Sequence, residues 1–408
     1  MTDIDKKASY FAISQNQVIP GEEMLETGRR KKKLTIGMPL EIDKNENRIA
    51  LSPQGVELLT GNGHEIIMES GTGDRANYFD KDFSEAGAII TKNREEVYKS
   101  EIVLKISPPN QEETELLHPN QLLLSYLRIS SQSAKSIRQL MSKKINALSY
   151  EFMKDSHDCY PVIRSMSEIE GYAAITIASE YLSKVHGGKG VLLGGITGVS
   201  PAEVVIIGAG TAGEFAARAA LGLGCQVKIF DNSYQKLKDL ERNTGQKLFT
   251  SILHPQVLVK ALKSADAVIT SLRYFDSDYG FLITREDIEK MKPGSIIIDL
   301  SAGNGGCFES DTTFKASIHP VVDKRGVICY SVPNVSSRVA RTASIALSNI
   351  FAPALLKMAD AGGVHQLLKE NPGVRNGTYI YKGILTNNHI ANRFNIPAKD
   401  IGLLLAAF

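Results

Sequence analysis

One stretch restricts what this chain of 408 residues can fold into more than any other: "VVIIGAGTAGEFAARAALGLG", in which an apolar run of strand character passes directly into spaced glycines and then into a helical pattern. In Gly208-Ala209-Gly210-Thr211-Ala212-Gly213 the first glycine permits a tight turn. The second lets backbone approach a pyrophosphate, and the third lets helix and strand pack closely. The next strand, Gln226 to Phe230, ends in Asp231, 18 residues beyond Gly213, where a carboxylate can bind both ribose hydroxyls. Together these signals predict a βαβ unit that holds a dinucleotide through Gly208, Gly210, Thr211, Ala212, Gly213 and Asp231. A carboxylate at that place repels the 2′-phosphate of NADP, so the cofactor expected is NAD.

Strand and helix signals alternate on both sides of this unit, which predicts an α/β protein with parallel sheets. Strands are expected at Leu34 to Leu40, His64 to Glu69, Ile102 to Ile106 and Leu122 to Leu127, forming one doubly wound sheet. A helix follows Ser52-Pro53, where serine can cap and proline can take the first helical position. A long helix is expected over Met166 to Val185. A second sheet is expected from Glu203 to Ile207, Gln226 to Phe230, Ala267 to Thr270, Ser295 to Leu300 and Gly326 to Tyr330. The apolar helix from about Arg338 to Asp360 comes too late to serve that sheet, so it is expected to cross back to the first domain. The fold class is therefore two Rossmann-like doubly wound domains with an interdomain cleft, joined by long crossing helices. Residues 1–33 form an N-terminal extension, 34–160 plus 340–408 a substrate domain, and 161–339 the NAD-binding domain.

The net charge of +2 leaves no footprint for nucleic acid, and the basic run Arg29 to Lys33 reads as a solvated lead-in. No run of about 18 apolar residues is visible. A cytoplasmic protein that uses no membrane is expected. The four cysteines lack metal spacing, so no metal is expected.

"IGMPLEIDKNENRIALSPQGVELL", "GHEIIMESGTG", "MSEIEGYAA", "HGGKGVLLGGITGVSPAEVVIIGAGTAG", "MKPGSIIIDL", "GGCFE" and "TASIALSNI", in this order, resemble the alanine dehydrogenases and the related NAD-binding subunit of proton-translocating transhydrogenase. The resemblance runs from about Lys33 to Asp360. It implies a substrate cleft between the domains, a first domain completed by the C-terminal segment, and a homo-oligomer. It also implies the conversion of L-alanine, water and NAD to pyruvate, ammonia and NADH. That chemistry asks for an arginine on the substrate carboxylate, a lysine at the carbonyl or amine end, a histidine that moves protons, and an aspartate near the water or amine.

Arg48 matches the arginine, which makes a small-molecule carboxylate the expected partner. Lys105 matches the first of two family lysines, while Ser107 stands at the second, substrate-binding one; Lys105 either reaches the cleft or faces solvent. Arg128 replaces the histidine and, because arginine does not deprotonate, cannot do its work. Gly303, followed by Asn304, stands where the aspartate belongs. Arg273 and Tyr274 occupy a loop that carries Pro-Gly in the family. Ser167 matches a position that contacts NAD, although a helix N-cap would also explain it. "PNVSSRVARTAS" leans toward the transhydrogenase branch, and Asn334 in it would contact the nicotinamide side. Three readings stay open: an NAD-dependent amino-acid dehydrogenase in which Arg48 and Arg128 grip a carboxylate, a transhydrogenase-type nucleotide-binding subunit, and an NAD-binding sensor or structural partner without deaminating activity.

Overall fold

The computed structural model describes residues 31–272, 282–302, 306, 307, 309, 321, 322 and 326–407. The first sheet holds β1 (Thr35–Met38), β2 (Glu65–Glu69), β3 (Ile89–Thr91), β4 (Ile102–Leu104), β5 (Leu122–Ser125) and β6 (Asn146–Ser149). The second holds β7 (Glu203–Ile207), β8 (Gln226–Phe230), β9 (Phe249–Ser251), β10 (Ala267–Thr270), β11 (Ile296–Asp299), β12 (Val321–Val322) and β13 (Ile328–Tyr330). From the far end of the chain β14 (Thr378–Tyr381) and β15 (Ile384–Leu385) join the first sheet, giving the order β15-β14-β6-β5-β4-β1-β2-β3. The second sheet runs β12-β13-β11-β10-β7-β8-β9. Pairing is parallel except where β14 meets β6 and β15 and where β12 meets β13.

The central strands of the second sheet are covered on both faces, which is why "EVVII", "AVIT" and "IIID" read as apolar runs and not as alternation. Strand order reverses beside β1, flanked by β4 and β2, and beside β7, flanked by β10 and β8. In open α/β sheets ligands collect outside the carboxyl ends of strands at such reversals. Here those ends lead into residues 39–48 in the first sheet and into the Gly208 turn in the second.

Four helices position the site: α1 (Pro53–Gly61), α2 (Pro161–Leu182), α3 (Thr211–Gly222) and α4 (Ala340–Asp360). Ser52 caps α1 by accepting from Gly55 N at 3.3 Å, and Pro53 opens it, as its sequence leads one to expect. α2 and α3 cross at Gly171, where a Cβ would lie 2.4 Å from the Ala212 carbonyl oxygen. α4 does cross back: Ala343, Leu347, Phe351 and Leu355 join the core of the first sheet with Ile36, Leu51 and Leu104. Among the described residues the segment Val335–Asp360, with a window of mean hydropathy 1.4, is long and apolar enough by composition to span a bilayer, although the sequence has no unbroken apolar run there. One face of it is buried in that core, while Val339 and Ile345 stay exposed.

β3, β6, β9, β12, β14 and β15 lie outside the strands expected. β6 reads "NALS", and its polar ends gave no strand signal, yet all four residues are buried between β5 and β14. The C-terminal segment supplies sheet neighbours through β14 and β15, and Leu404 and Leu405 pack into the core of the first sheet.

Candidate active site between two sheets

The chain leaving β1 turns sharply at Asp43, whose carbonyl accepts from Glu46 N at 3.0 Å and from Arg75 Nη1 at 2.7 Å. This turn directs Glu46 and Arg48 inward. Glu46 takes Arg48 as a fork, with Nε to Oε1 and Nη2 to Oε2 both at 2.7 Å. Such paired bonds are the strongest way to hold a guanidinium in one orientation. Arg48 Nη1 also donates to Ser336 Oγ at 3.0 Å and touches Met166 Sδ at 3.4 Å. Asn334, in left-handed backbone at φ 64°, donates Nδ2 to Glu46 Oε2 at 2.7 Å. Burial opposes ionisation of Glu46, but the Arg48 charge and the hydrogen bonds of Arg48 and Asn334 outweigh it and hold the carboxyl below its ordinary value. Alongside, Asn47 N donates to Ser337 Oγ at 2.8 Å, and Ser337 Oγ donates to Asn45 O at 2.9 Å. The structure thus brings Arg48 and Asn334 together, one from each side of the cleft.

Arg48 retains donors for a ligand. Of the five N–H groups on a guanidinium, two go to Glu46 and one to Ser336. One remaining N–H on Nη1 faces a thioether, a weak acceptor that a carboxylate can displace, and Nη2 keeps its second hydrogen.

Lys105 does not face solvent. Its ammonium is 1% exposed and bridges Glu113 at 2.7 Å and Glu41 at 3.3 Å. Tyr98 donates to the same Glu113 oxygen at 3.0 Å, and Glu41 accepts from Ile106 N at 2.6 Å. Two buried carboxylates drew the lysine inward, because an unpaired charge there would be costly. Burial raises Glu41 above its ordinary value despite Lys105. Ser107, beyond it, is buried with a hydroxyl that has no partner among the described residues.

Arg128 lies three residues beyond β5, in left-handed backbone at φ 46°. Glu151 anchors that turn by accepting from Leu127 N at 3.0 Å. The Arg128 guanidinium lies 3.8 Å from Asp43 Oδ2 and over the Tyr126 ring at 5.8 Å, so it borders the same turn that carries Arg48. Burial pushes Glu151 up to about 7 against the backbone hydrogen bonds of Leu127 and Arg128.

On the second sheet the three glycines separate by role. Gly208 has φ 110°, which L side chains rarely adopt. A Cβ on Gly213 would lie 1.8 Å from the Gly208 carbonyl oxygen, so helix and turn touch there. A Cβ on Gly210 would meet nothing within 4 Å. That open space lies at the start of α3, which has no side-chain cap, so the N–H groups at Thr211, Ala212 and Gly213 are available to a phosphate. Asp231 closes the turn, taking Ala209 N and Ser233 N at 2.7 Å each. Those bonds aim its carboxylate at the glycine turn and leave further lone pairs for ribose hydroxyls. The residues present fit a dinucleotide.

Ser167 is buried within α2, six positions past its first residue Pro161, so capping does not account for it. Asp299, at the end of β11, is spent on Thr270 Oγ1 at 2.8 Å, Ser301 N at 2.9 Å and Cys307 N at 3.0 Å. Gly303, Asn304, Arg273 and Tyr274 lie outside the described residues. Glu46, Glu41, Glu113 and Glu151 were missed in the sequence; the only available signal was Glu46 standing two residues before Arg48.

Two doubly wound sheets, with an open glycine turn at a helix start on one and a forked arginine on the other, define an α/β protein of two Rossmann-like domains. The family models described as alanine dehydrogenase/PNT, N-terminal domain, and alanine dehydrogenase/PNT, C-terminal domain, match residues 37–170 and 174–388. The chain belongs to the alanine dehydrogenase/PNT family. It is 35% identical to the alanine dehydrogenase of Methanococcus maripaludis over 365 residues, 89% of this chain and 97% of that one. Against the alanine dehydrogenase of Staphylococcus saprophyticus it is 35% identical over 370 residues, 90% of this chain and 99% of the other. A solved L-alanine dehydrogenase superposes with a TM-score of 0.80 at 31% identity, covering 88% of this chain and 98% of that one. The transhydrogenase of Sinorhizobium meliloti reaches 0.71 at 21% identity, covering 87% and 99%, and shares the fold.

Proposed function

We propose that this protein is a cytoplasmic, NAD-dependent amino-acid dehydrogenase acting on L-alanine or a related amino or 2-oxo acid, and that it works as a homo-oligomer. The observation that carries this reading is that Glu46 holds Arg48 and Asn334 together, in a chain whose second sheet carries a glycine turn shaped for a dinucleotide. Bound NAD supplies the hydride acceptor. The α3 N-terminus and Gly210 hold the pyrophosphate, and Asp231 takes the ribose hydroxyls and disfavours NADP. Ser167 would contact NAD, and Asn334 its nicotinamide side. Arg48 grips the substrate carboxylate through the N–H groups that Glu46 and Ser336 leave free, and Arg128 adds a second positive charge at the rim of the same turn. Lys105 holds the first domain together from within.

The inward turn of Lys105 and the arginine at position 128 favour a second reading, an NAD-binding protein without deaminating chemistry. NADH formation from L-alanine and a panel of amino acids at alkaline pH separates the two. Arg48→Ala should abolish turnover and 2-oxo acid binding while leaving NAD affinity within about threefold; unchanged binding of both ligands would sink the assignment of Arg48. Paired isotherms with NAD and NADP test the cofactor, and equal or tighter NADP binding would reject NAD.

A further inference from the structure

Glu46 is buried to 0% side-chain exposure and touches one expected ligand-binding group from each side of the cleft. Its Oε2 accepts from Arg48 Nη2 and from Asn334 Nδ2, each at 2.7 Å. Asn334 Oδ1 accepts from Ser336 Oγ at 3.4 Å, and that same hydroxyl oxygen accepts from Arg48 Nη1 at 3.0 Å. The four residues therefore close a ring of hydrogen bonds. The ring crosses twice between the turn after β1 and the segment that precedes α4. A glutamate needed only to neutralise Arg48 would have no use for Asn334, and the ring also sets which end of the Asn334 amide is the donor.

We propose that Glu46 is a positioning residue that couples binding of the substrate carboxylate to binding of the cofactor. This rests on the dehydrogenase reading above. A carboxylate drawn onto the free N–H groups of Arg48 meets a guanidinium already oriented by Glu46. The same glutamate oxygen fixes Asn334, so ordering one partner orders the other. Such coupling is reciprocal: NADH tightens the 2-oxo acid by the same factor as the 2-oxo acid tightens NADH. Without the ring, each ligand still has its own contacts but no longer senses the other.

The test is calorimetric titration of pyruvate into the full-length protein, free and saturated with NADH, in ammonium-free buffer. The wild-type protein should bind pyruvate at least about fivefold more tightly with NADH present, the lower end of ordinary coupling. Glu46→Gln should bring that ratio near one and raise the amino-acid KM about tenfold or more, with NADH affinity alone changed by less than about threefold. Removing the counter-charge of Arg48 threatens folding, so Asn334→Gly provides a second opening of the ring. It leaves the ion pair intact and suits the left-handed backbone, and it should lose the coupling ratio as well. Variants that fold and keep the ratio within twofold of wild type would overturn the proposal. So would a wild-type protein that oxidises amino acids yet binds pyruvate equally with and without NADH. Absence of NADH formation from every amino acid tested would reject instead the reading on which the proposal stands.

Discussion

Gly210 and Gly213 differ by three positions and should respond oppositely to the same methyl group. Gly213→Ala forces a Cβ into the Gly208 carbonyl and should destabilise the protein by about 3 kcal/mol, seen as a lower thermal midpoint. Gly210→Ala fills open space and should melt like wild type while weakening NAD at least about tenfold. Lys105 is a second residue whose value lies in what it covers. Lys105→Met leaves Glu41 and Glu113 buried without a cation and should cost about 3–5 kcal/mol in denaturant unfolding. Glu151 sets a pH dependence. Its folded-state value, pushed up to about 7 by burial, lies above the value of about 4.3 in an unfolded chain. The folded state therefore holds this proton more tightly, and the contribution is fully present below about pH 4. It is lost as pH rises from there through 7. Glu151→Gln should flatten the stability profile over that interval; an unchanged slope would remove Glu151 as its source.

At the scale of elements, the cofactor turn is positioned by one helix crossing. α2 approaches the start of α3 so closely that Gly171 has no room for a side chain, its would-be Cβ lying 2.4 Å from Ala212 O and 2.8 Å from Ala216 N. Gly171→Ala should push the α3 N-terminus away from the cleft and weaken NAD binding about tenfold, with secondary structure preserved by circular dichroism. Elements whose signal is local were legible in the sequence: the Ser52-Pro53 helix start, the buried runs of β7, β10 and β11, and the glycine turn. β6 and β14 were not, because a four-residue strand takes its burial from its neighbours and its composition carries little periodicity. The long apolar α4 was legible as a helix, and its lateness in the chain pointed to the first domain. That Phe351 packs on the Tyr150 ring at a centroid distance of 5.1 Å was decided by the fold.

At the scale of the molecule, the first domain is not finished until the chain has passed through the second and returned. Tyr379, Ile380, Leu385, Ile390 and Ile396 pack with Val103, Leu123 and Ala147 on one face of the first sheet. A chain ending at Glu370 should therefore lose its cooperative unfolding transition, because β6 would become a bare edge above an opened core. The proposed homo-oligomer is checked by light scattering on the eluting protein, and a single monomeric mass would exclude it.

The sequence by itself determined the two-sheet α/β plan, the glycine turn closed by Asp231, and the place of the arginine at position 48, since each depends on residues close together along the chain. Only the tertiary structure decided what the charged groups do. Lys105 and Arg128 both sit just beyond strand ends, and nothing local distinguishes a lysine drawn between Glu41 and Glu113 from one open to a ligand. Arg48 is held by Glu46 and Ser336, and Glu46 in turn by Asn334, and Ser336 and Asn334 lie nearly 300 positions away. Buried charge must find its counterpart wherever the fold brings it, and sequence distance places no limit on where that is.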